Sequence, residues 1–269
     1  ARLAGRVGRY SIGALNIQTR SSTAPDVEST NFTVLRVRRD ILQRSNVGVL
    51  FTNRSVSRMA PGANQVAGLD ANFALSPNIS LGGYAAQSRT AGETRDALSY
   101  RANFNYSGDR YGMQVDRTVV GDEFNPEVGF LRRSDFRSSS GTLRFSPRPE
   151  RNATIRQFFY EGGLEYITNN KNRLESRVEL QNSDSFGVTY YREHELLHDE
   201  FEPATGIVVP AGAYTFQGVR TSWTPGQQHR LSGSLSLNIG EFYDGFRKTA
   251  SVNARFGVSN QLGIEPNIS

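Results

Sequence analysis

Residues 194–198 read His194-Glu195-Leu196-Leu197-His198. Two histidines one helical turn apart can hold a zinc ion while the glutamate between them activates a water molecule. That chemistry needs a helix. Here the pentapeptide runs on from 186–191, where Phe186, Val188 and Tyr190 occupy every second position. Glu193, Asp199, Glu200 and Glu202 crowd it, and Pro203 would end a helix quickly. On a strand the two imidazoles would share a face about 13 Å apart, too far for one ion. The remaining histidine is His229, so a third ligand would have to be a carboxylate. The expectation is a solvated loop base, with no metal, no cofactor and no catalytic residue.

Glu161 with Glu165, and Glu175 with Glu179, pose the same kind of question. Paired carboxylates can cleave glycosides. These pairs alternate with apolar residues and sit beside Arg173 and Arg177, which reads as a cross-strand charge ladder on a wet face. There is no glycine-rich phosphate loop, no Ser/His/Asp order and no dinucleotide fingerprint. The chain is expected not to be an enzyme. A third stretch, 121–133, carries Phe124, Asn125, Glu127, Val128, Phe130, Leu131, Arg132 and Arg133. It is too apolar for a plain connector. It either folds back into a lumen as a constriction with a basic edge, or packs on itself as a surface Ω-loop.

The elements that would position these residues share a two-residue rhythm. In 98–106, Leu98, Tyr100, Ala102, Phe104 and Tyr106 alternate with Ser99, Arg101, Asn103 and Asn105. Successive side chains of a strand point to opposite faces, so such a segment has one apolar and one polar face. The pattern recurs at 10–19, 31–42, 47–56, 65–75, 79–89, 111–115, 137–146, 154–168, 173–180, 186–190, 214–223, 231–239 and 250–258. The polar sets include Asp70 and Asn72, the ladder Arg173, Glu175, Arg177 and Glu179, and Asn253 with Arg255. Connections near 44, 77, 109, 149, 183 and 226 read as short. Those near 25, 60, 93, 125, 203 and 243 read as longer, with the longest at 193–213 and a short exception at 169–172. Short turns on one side and long loops on the other are the mark of an outer-membrane barrel. Tyr10, Phe51, Tyr84, Tyr106, Tyr111, Phe145, Tyr166, Phe186, Tyr214 and Trp223 fall where aromatic girdles would lie.

Bulk composition agrees. Hydrophobic residues make up 37% of 269, lean for one large dry core and suited to a sheet with a hydrated side. No run of about twenty apolar residues exists, which excludes a transmembrane helix but not a barrel. Cysteine is absent, so disulfides and thiolate metal sites are excluded. The net charge is +5 and almost all of it is arginine, Lys171 and Lys248 being the only lysines. Arginine scattered singly over many strands argues against a nucleic-acid footprint. It suits lipid phosphates at the rims and anions on a wet face.

Several stretches carry a resemblance. They are 7–19 (Val7-Gly8-Arg9-Tyr10-Ser11-Ile12-Gly13 onward), 31–42 with 46–55, 124–133 (Phe124-Asn125-Pro126-Glu127-Val128-Gly129-Phe130-Leu131-Arg132-Arg133), and 201–214 with Pro203 and Pro210. Together they resemble a bacterial family in which a carbohydrate-binding, family-nine-like module precedes an outer-membrane β-barrel domain of unknown function. The resemblance implies a carbohydrate-binding module upstream, further strands downstream, and saccharides as a solute class. It transfers no catalytic residue.

The sequence therefore predicts an all-β, transmembrane antiparallel barrel of outer-membrane type, with about fourteen to sixteen strands in this stretch. Residues 1–269 form one such domain of a longer chain in the outer membrane of a Gram-negative bacterium. Asp70, Asn72, Arg101, Asn103, Asn105, Glu161, Glu165, Arg173, Glu175, Arg177, Glu179, Asn253 and Arg255 line its lumen. Phe124, Asn125, Glu127, Phe130, Arg132 and Arg133 belong to the constriction loop. The expected function is a channel for small solutes. The rivals are a non-conducting anchor for a carbohydrate-binding module or surface complex and, more remotely, an outer-membrane hydrolase. The expected partners are the bilayer and lipopolysaccharide, saccharides, and other outer-membrane or periplasmic proteins, without nucleic acid.

Overall fold

A computed structural model describes the chain apart from residues 24–25, 60, 91–96, 168–169, 198, 205, 230, 260–261, 265–266 and 269. The chain is all-β, and its paired strands run antiparallel. Among the described residues no helix is long and apolar enough to cross a membrane, which says nothing against crossing by strands. The chain divides into two compact units. One is Ala1–Tyr106 with Val115–Ser139, the other Ser107–Gln114 with Ser140–Ser269.

In the first unit, β1 (Arg2–Val7), β2 (Tyr10–Gln18), β5 (Asn31–Leu42), β6 (Ser45–Arg54), β7 (Asn64–Ser76), β8 (Ile79–Thr90) and β9 (Leu98–Ser107) pair in that order. A two-strand hairpin, β3 (Ser22–Thr23) and β4 (Asp26–Val27), fills the connection between β2 and β5. Ladder register explains the faces. Ile12, Val37, Val49, Leu69, Ala85 and Tyr100 lie side by side across six strands. One residue along, the neighbouring row is Ser11, Arg38, Gly48, Asp70, Tyr84 and Arg101. Adjacent rows point to opposite faces, so one face is apolar and the other carries the charge. The apolar face is open, with Leu69 64% exposed.

Residues 111–120 form β10 (Tyr111–Val120), followed by β11 (Phe136–Phe145), and both run from one unit into the other. The second unit continues with β12 (Ile155–Tyr166), β13 (Asn170–Leu180), β14 (Ser185–Leu197), β17 (Gly212–Thr224), β18 (Leu231–Phe242) and β19 (Gly245–Ser259), paired in that order. The hairpin of β15 (Phe201–Ala204) and β16 (Ile207–Val209) sits between β14 and β17. Two short strands, β20 (Leu262–Ile264) and β21 (Asn267–Ile268), pair with β19. Here the apolar row is Phe158, Val178, Phe186, Trp223, Leu235 and Val252, and its polar neighbour is Phe159, Arg177, Gly187, Ser222, Ser236 and Ser251. Aromatic rings stack between neighbouring strands, most of them near strand ends, with Tyr160 in the middle of β12. Tyr111 stacks on Phe145 with centroids 5.3 Å apart, Phe145 on Tyr160 at 6.2 Å, and Phe186 on Trp223 at 6.2 Å. The Arg110 guanidinium lies 5.4 Å over the Phe145 ring.

Little is packed away from solvent. The buried hydrophobic residues described are Val66, Val119, Val120, Phe124, Val209 and Phe216. Val66, Val120 and Phe124 form one cluster, with Ala86, Leu131 and Phe136 against it.

Several expectations are corrected. The alternation of short and long connections holds through the first unit but weakens in the second. There 146–154 is longer than expected, and the connection at 243 is a tight turn with Tyr243 at φ 54°. The 193–213 loop is shorter than expected because β14 runs to Leu197, its ladder with β17 extending through Leu197 opposite Gly212. Tyr84 is not a girdle residue: it lies mid-strand on the polar face, its hydroxyl 3.2 Å from Ser99 Oγ. Residues 91–96, Pro25 and His198 lie outside the described residues.

The 181–184 turn carries a testable clasp. Asp184 Oδ1 accepts the Gly226 N–H at 2.8 Å and faces His229 Nε2 at 2.9 Å, while Oδ2 accepts from Asn182 Nδ2 at 3.1 Å. The Gly226 amide first, and then His229 and Asn182, hold its carboxyl below the ordinary carboxylate range. A carboxyl lowered in the folded state stabilises above its unfolded value, about pH 4, and that gain disappears as the pH falls through the folded value. Asp184→Asn is therefore expected to equal the wild type at the acid limit and to be the less stable protein at pH 6–7. Urea midpoints across that pH range check it, and parallel profiles would refute it.

Candidate functional site

The polar face of the first unit is built by reaching across strands. Arg36 on β5 pairs with Asp70 on β7 over the intervening β6. The strand between them carries Gly48, where a Cβ would lie 2.7 Å from Arg36 Nη2 and 2.9 Å from Asp70 Oδ1. The device recurs one strand pair on. Over Gly82 of β8, a Cβ would lie 2.7 Å from Asn72 Oδ1 and 2.8 Å from Asn103 Oδ1. Arg101 pairs with Asp116 at 2.6 Å, and Arg6 with Asp40 at 2.8 Å. Asp70, Asn72, Arg101 and Asn103 thus share one polar face, as their alternation predicts. Asn105 follows on the same strand, in register with Ser80.

The 121–135 loop docks onto this face. Phe124 inserts beside Val66 and Val120. Asn64, fully buried, donates Nδ2 to the Asn125 carbonyl at 2.8 Å and to Thr90 Oγ1 at 2.9 Å, and its Oδ1 accepts the Glu127 N–H at 3.2 Å. The Asn125 N–H donates to Ser88 Oγ at 3.0 Å. Glu127, its side chain only 4% exposed, is the latch. It accepts from Ser57 Oγ at 2.7 Å, from the Arg58 N–H at 2.9 Å and from Asn125 Nδ2 at 3.3 Å, and lies 3.4 Å from Arg54 Nη1. Beneath the loop is a cavity of about 250 Å³ lined by Leu50, Thr52, Val66, Phe124 and Val128, with Arg36 and Asp70 at its edge.

Of the expected constriction residues, Phe124, Asn125 and Glu127 are thus brought to the polar face and the other three are not. Phe130 is 87% exposed, and Arg132 and Arg133 are exposed, Arg133 lying 6.0 Å over the Phe136 ring. The self-packed Ω-loop reading fails for 121–129, because its anchors are Asn64, Ser88, Arg54 and Ser57 on other elements. Asn64 and Gly48 went unrecognised in the sequence. A trace existed for Gly48, which interrupts the polar positions of an alternating strand, but not for Asn64, a polar residue ahead of the 65–75 pattern.

In the second unit the charge ladder forms. Arg173 contacts both Glu161 and Glu175, the latter at 3.9 Å, and Arg156 pairs with Glu179 at 2.9 Å. Arg177 lies 4.2 Å over the Phe159 ring. Glu165 stands opposite Lys171 in register. Register places Glu161 opposite Glu175, so the carboxylates that approach one another come from different strands, with a guanidinium serving both. Asn253 Nδ2 is 3.4 Å from Ser234 Oγ, and Arg255 stands opposite Ser232.

The His194 region is strand, not helix. His194 pairs with Thr215 across the ladder, its Nδ1 2.9 Å from Thr215 Oγ1. Among the described residues no three His, Cys, Asp or Glu side chains gather to hold a metal ion. Beside it is an aromatic cluster the sequence did not reveal, in which Tyr214, Phe216, Phe242 and Tyr243 meet at centroid distances of 4.7–6.1 Å. Burial first, and then the Glu195 carboxylate 3.3 Å from its hydroxyl, raise the Tyr243 phenol above its ordinary range.

Fold and face together define an antiparallel all-β protein with segregated apolar and charged faces and one loop latched onto the charged side. Compared with protein-family models, curated proteins and solved structures, the chain matches none.

Proposed function

We propose that the chain is a transmembrane barrel of the Gram-negative outer membrane, and that it conducts small solutes past the 121–129 loop. The observation that carries this reading is the uncovered apolar face. Leu69, Leu164 and Leu174 are each more than 60% exposed, while the charged side chains of the opposite face pair with one another. In water each such side chain forgoes about 1–2 kcal/mol of burial, and a sandwich would cover them with a second layer. Acyl chains remove that cost. The dimensions agree. From Phe158 to Tyr166 is about 27 Å along the strand, which a tilt of about 40° reduces to about 20 Å, near the roughly 25 Å apolar band of such barrels. Lipid and lipopolysaccharide are then its immediate neighbours.

Planar bilayer recording tests it. Purified in detergent, the protein is expected to give stepwise conductance. Solubility as a monodisperse species without detergent would overturn the membrane reading. Insertion without current steps would favour the anchor for a carbohydrate-binding module over the channel.

A further inference from the structure

Beside the channel machinery, the first unit holds a cluster of cations that the ladder does not neutralise. A depression of about 690 Å³ opens where β1, β2, β5 and β6 meet their turns, lined by Arg6, Arg9, Arg38, Asp40, Arg44 and Asn46. We propose that it binds a small, water-soluble, phosphate-bearing anion, a reading that rests on the solute-channel proposal for its purpose but not for its chemistry.

Register makes the seat. Arg6, Ser11 and Arg38 lie in one row across β1, β2 and β5, so two guanidinium groups flank a small hydroxyl. Two strand spacings, about 10 Å, separate their backbones, room for a phosphate between the side-chain ends. Asp40 holds both arginines, at 2.8 Å from Arg6 and 3.6 Å from Arg38, and so fixes their direction without cancelling them. Arg9 and Arg44 add two more cations from the turns, and the Asp40 N–H donates to the Arg9 carbonyl at 2.9 Å, tying that turn to the site. Four arginines thus stand against one carboxylate among the lining residues. Guanidinium forks match phosphate oxygens in pairs, and a net charge near +3 favours a dianion over chloride.

The source of the anion follows from the face. Arg6, Arg38 and Asp40 lie on the charged side, which water reaches in the proposed channel. The arginine on the apolar side, Arg39, is stacked 5.3 Å over Tyr10. A lipid headgroup would call on Arg39, and a dissolved solute on the other four.

The test is calorimetric titration of the full chain in detergent with inorganic pyrophosphate at low salt. Saturable binding is expected. The exposed pair R9S/R44S should weaken it about tenfold, the loss of one good charge-assisted contact, and R39S should leave it unchanged. No saturable binding by folded protein, equal weakening by R39S, or binding only to phosphatidylglycerol vesicles would each overturn the site. A protein that binds pyrophosphate yet passes no current keeps the site and loses the channel. One that conducts but does not bind loses the site alone.

Discussion

Replacing Glu127 with alanine is expected to release the 121–129 loop and to destabilise the first unit by about 3 kcal/mol. The carboxylate satisfies Ser57 Oγ, the Arg58 N–H and Asn125 Nδ2, and faces a largely buried Arg54. Removing it strands that guanidinium, whose Nε already has no hydrogen-bond partner. Breaking one side of a buried, hydrogen-bonded pair typically costs 3–5 kcal/mol. The lower end applies because Arg54 keeps 18% exposure and also stacks 5.4 Å over Phe32. Glu127→Gln keeps an acceptor for Ser57 and Arg58 and loses only the charge, so about 1 kcal/mol is expected. Phe130→Ser is the control, within about 0.5 kcal/mol of wild type because the ring is exposed. Hydrogen exchange at the amides of Phe124, Asn125 and Glu127 reads the release directly, and conductance should rise with it. If Glu127→Ala and Phe130→Ser behave alike, the latch is not there.

The difference between those two residues shows where sequence reading succeeds here. A period of two is visible in any single strand, so the faces of Arg101, Asn103, Glu161 and Arg173 were legible without coordinates. Strand existence followed from the same signal, and so did the strand, rather than helical, conformation of the stretch through His194. What stayed hidden depends on register. Nothing within 31–42 says that Arg36 will reach past β6 to Asp70, because that pairing is decided by which residue of β6 falls between them. It is Gly48, whose bare backbone leaves the space. The loop was ambiguous for a related reason. Phe124 and Phe130 look equivalent in the chain, and only the fully buried Asn64, on a strand some sixty residues earlier, selects the first by binding the Asn125 carbonyl and the Glu127 N–H. Tyr84 misled although the bounds of its strand were read nearly right, because residue type was weighted above its mid-strand position on the polar face.

The same logic makes Gly240→Val the second large effect, and its sign runs against propensity. Valine is a better strand former than glycine by up to about 1 kcal/mol, so an ordinary strand site would gain from the change. Gly240 is not ordinary. It pairs with Gly218, which pairs with Tyr191, and the Tyr191 ring lies across both glycines on the polar face. A Cβ on Gly240 would stand 2.7 Å from Tyr191 Oη, 2.8 Å from the Gln217 carbonyl oxygen and 2.8 Å from Gly218 Cα. The hydroxyl can swing away, but the two backbone atoms cannot move without parting β17 from β18. Overpacking of this kind costs about 3 kcal/mol, which outweighs the propensity gain. Adding Tyr191→Ser should recover only part of the loss, because the backbone contacts remain. Urea midpoints of the single and double variants separate the two contributions. Full rescue by Tyr191→Ser would place the whole conflict in the ring, and a stabilised Gly240→Val would mean that the ring does not rest on these strands at all.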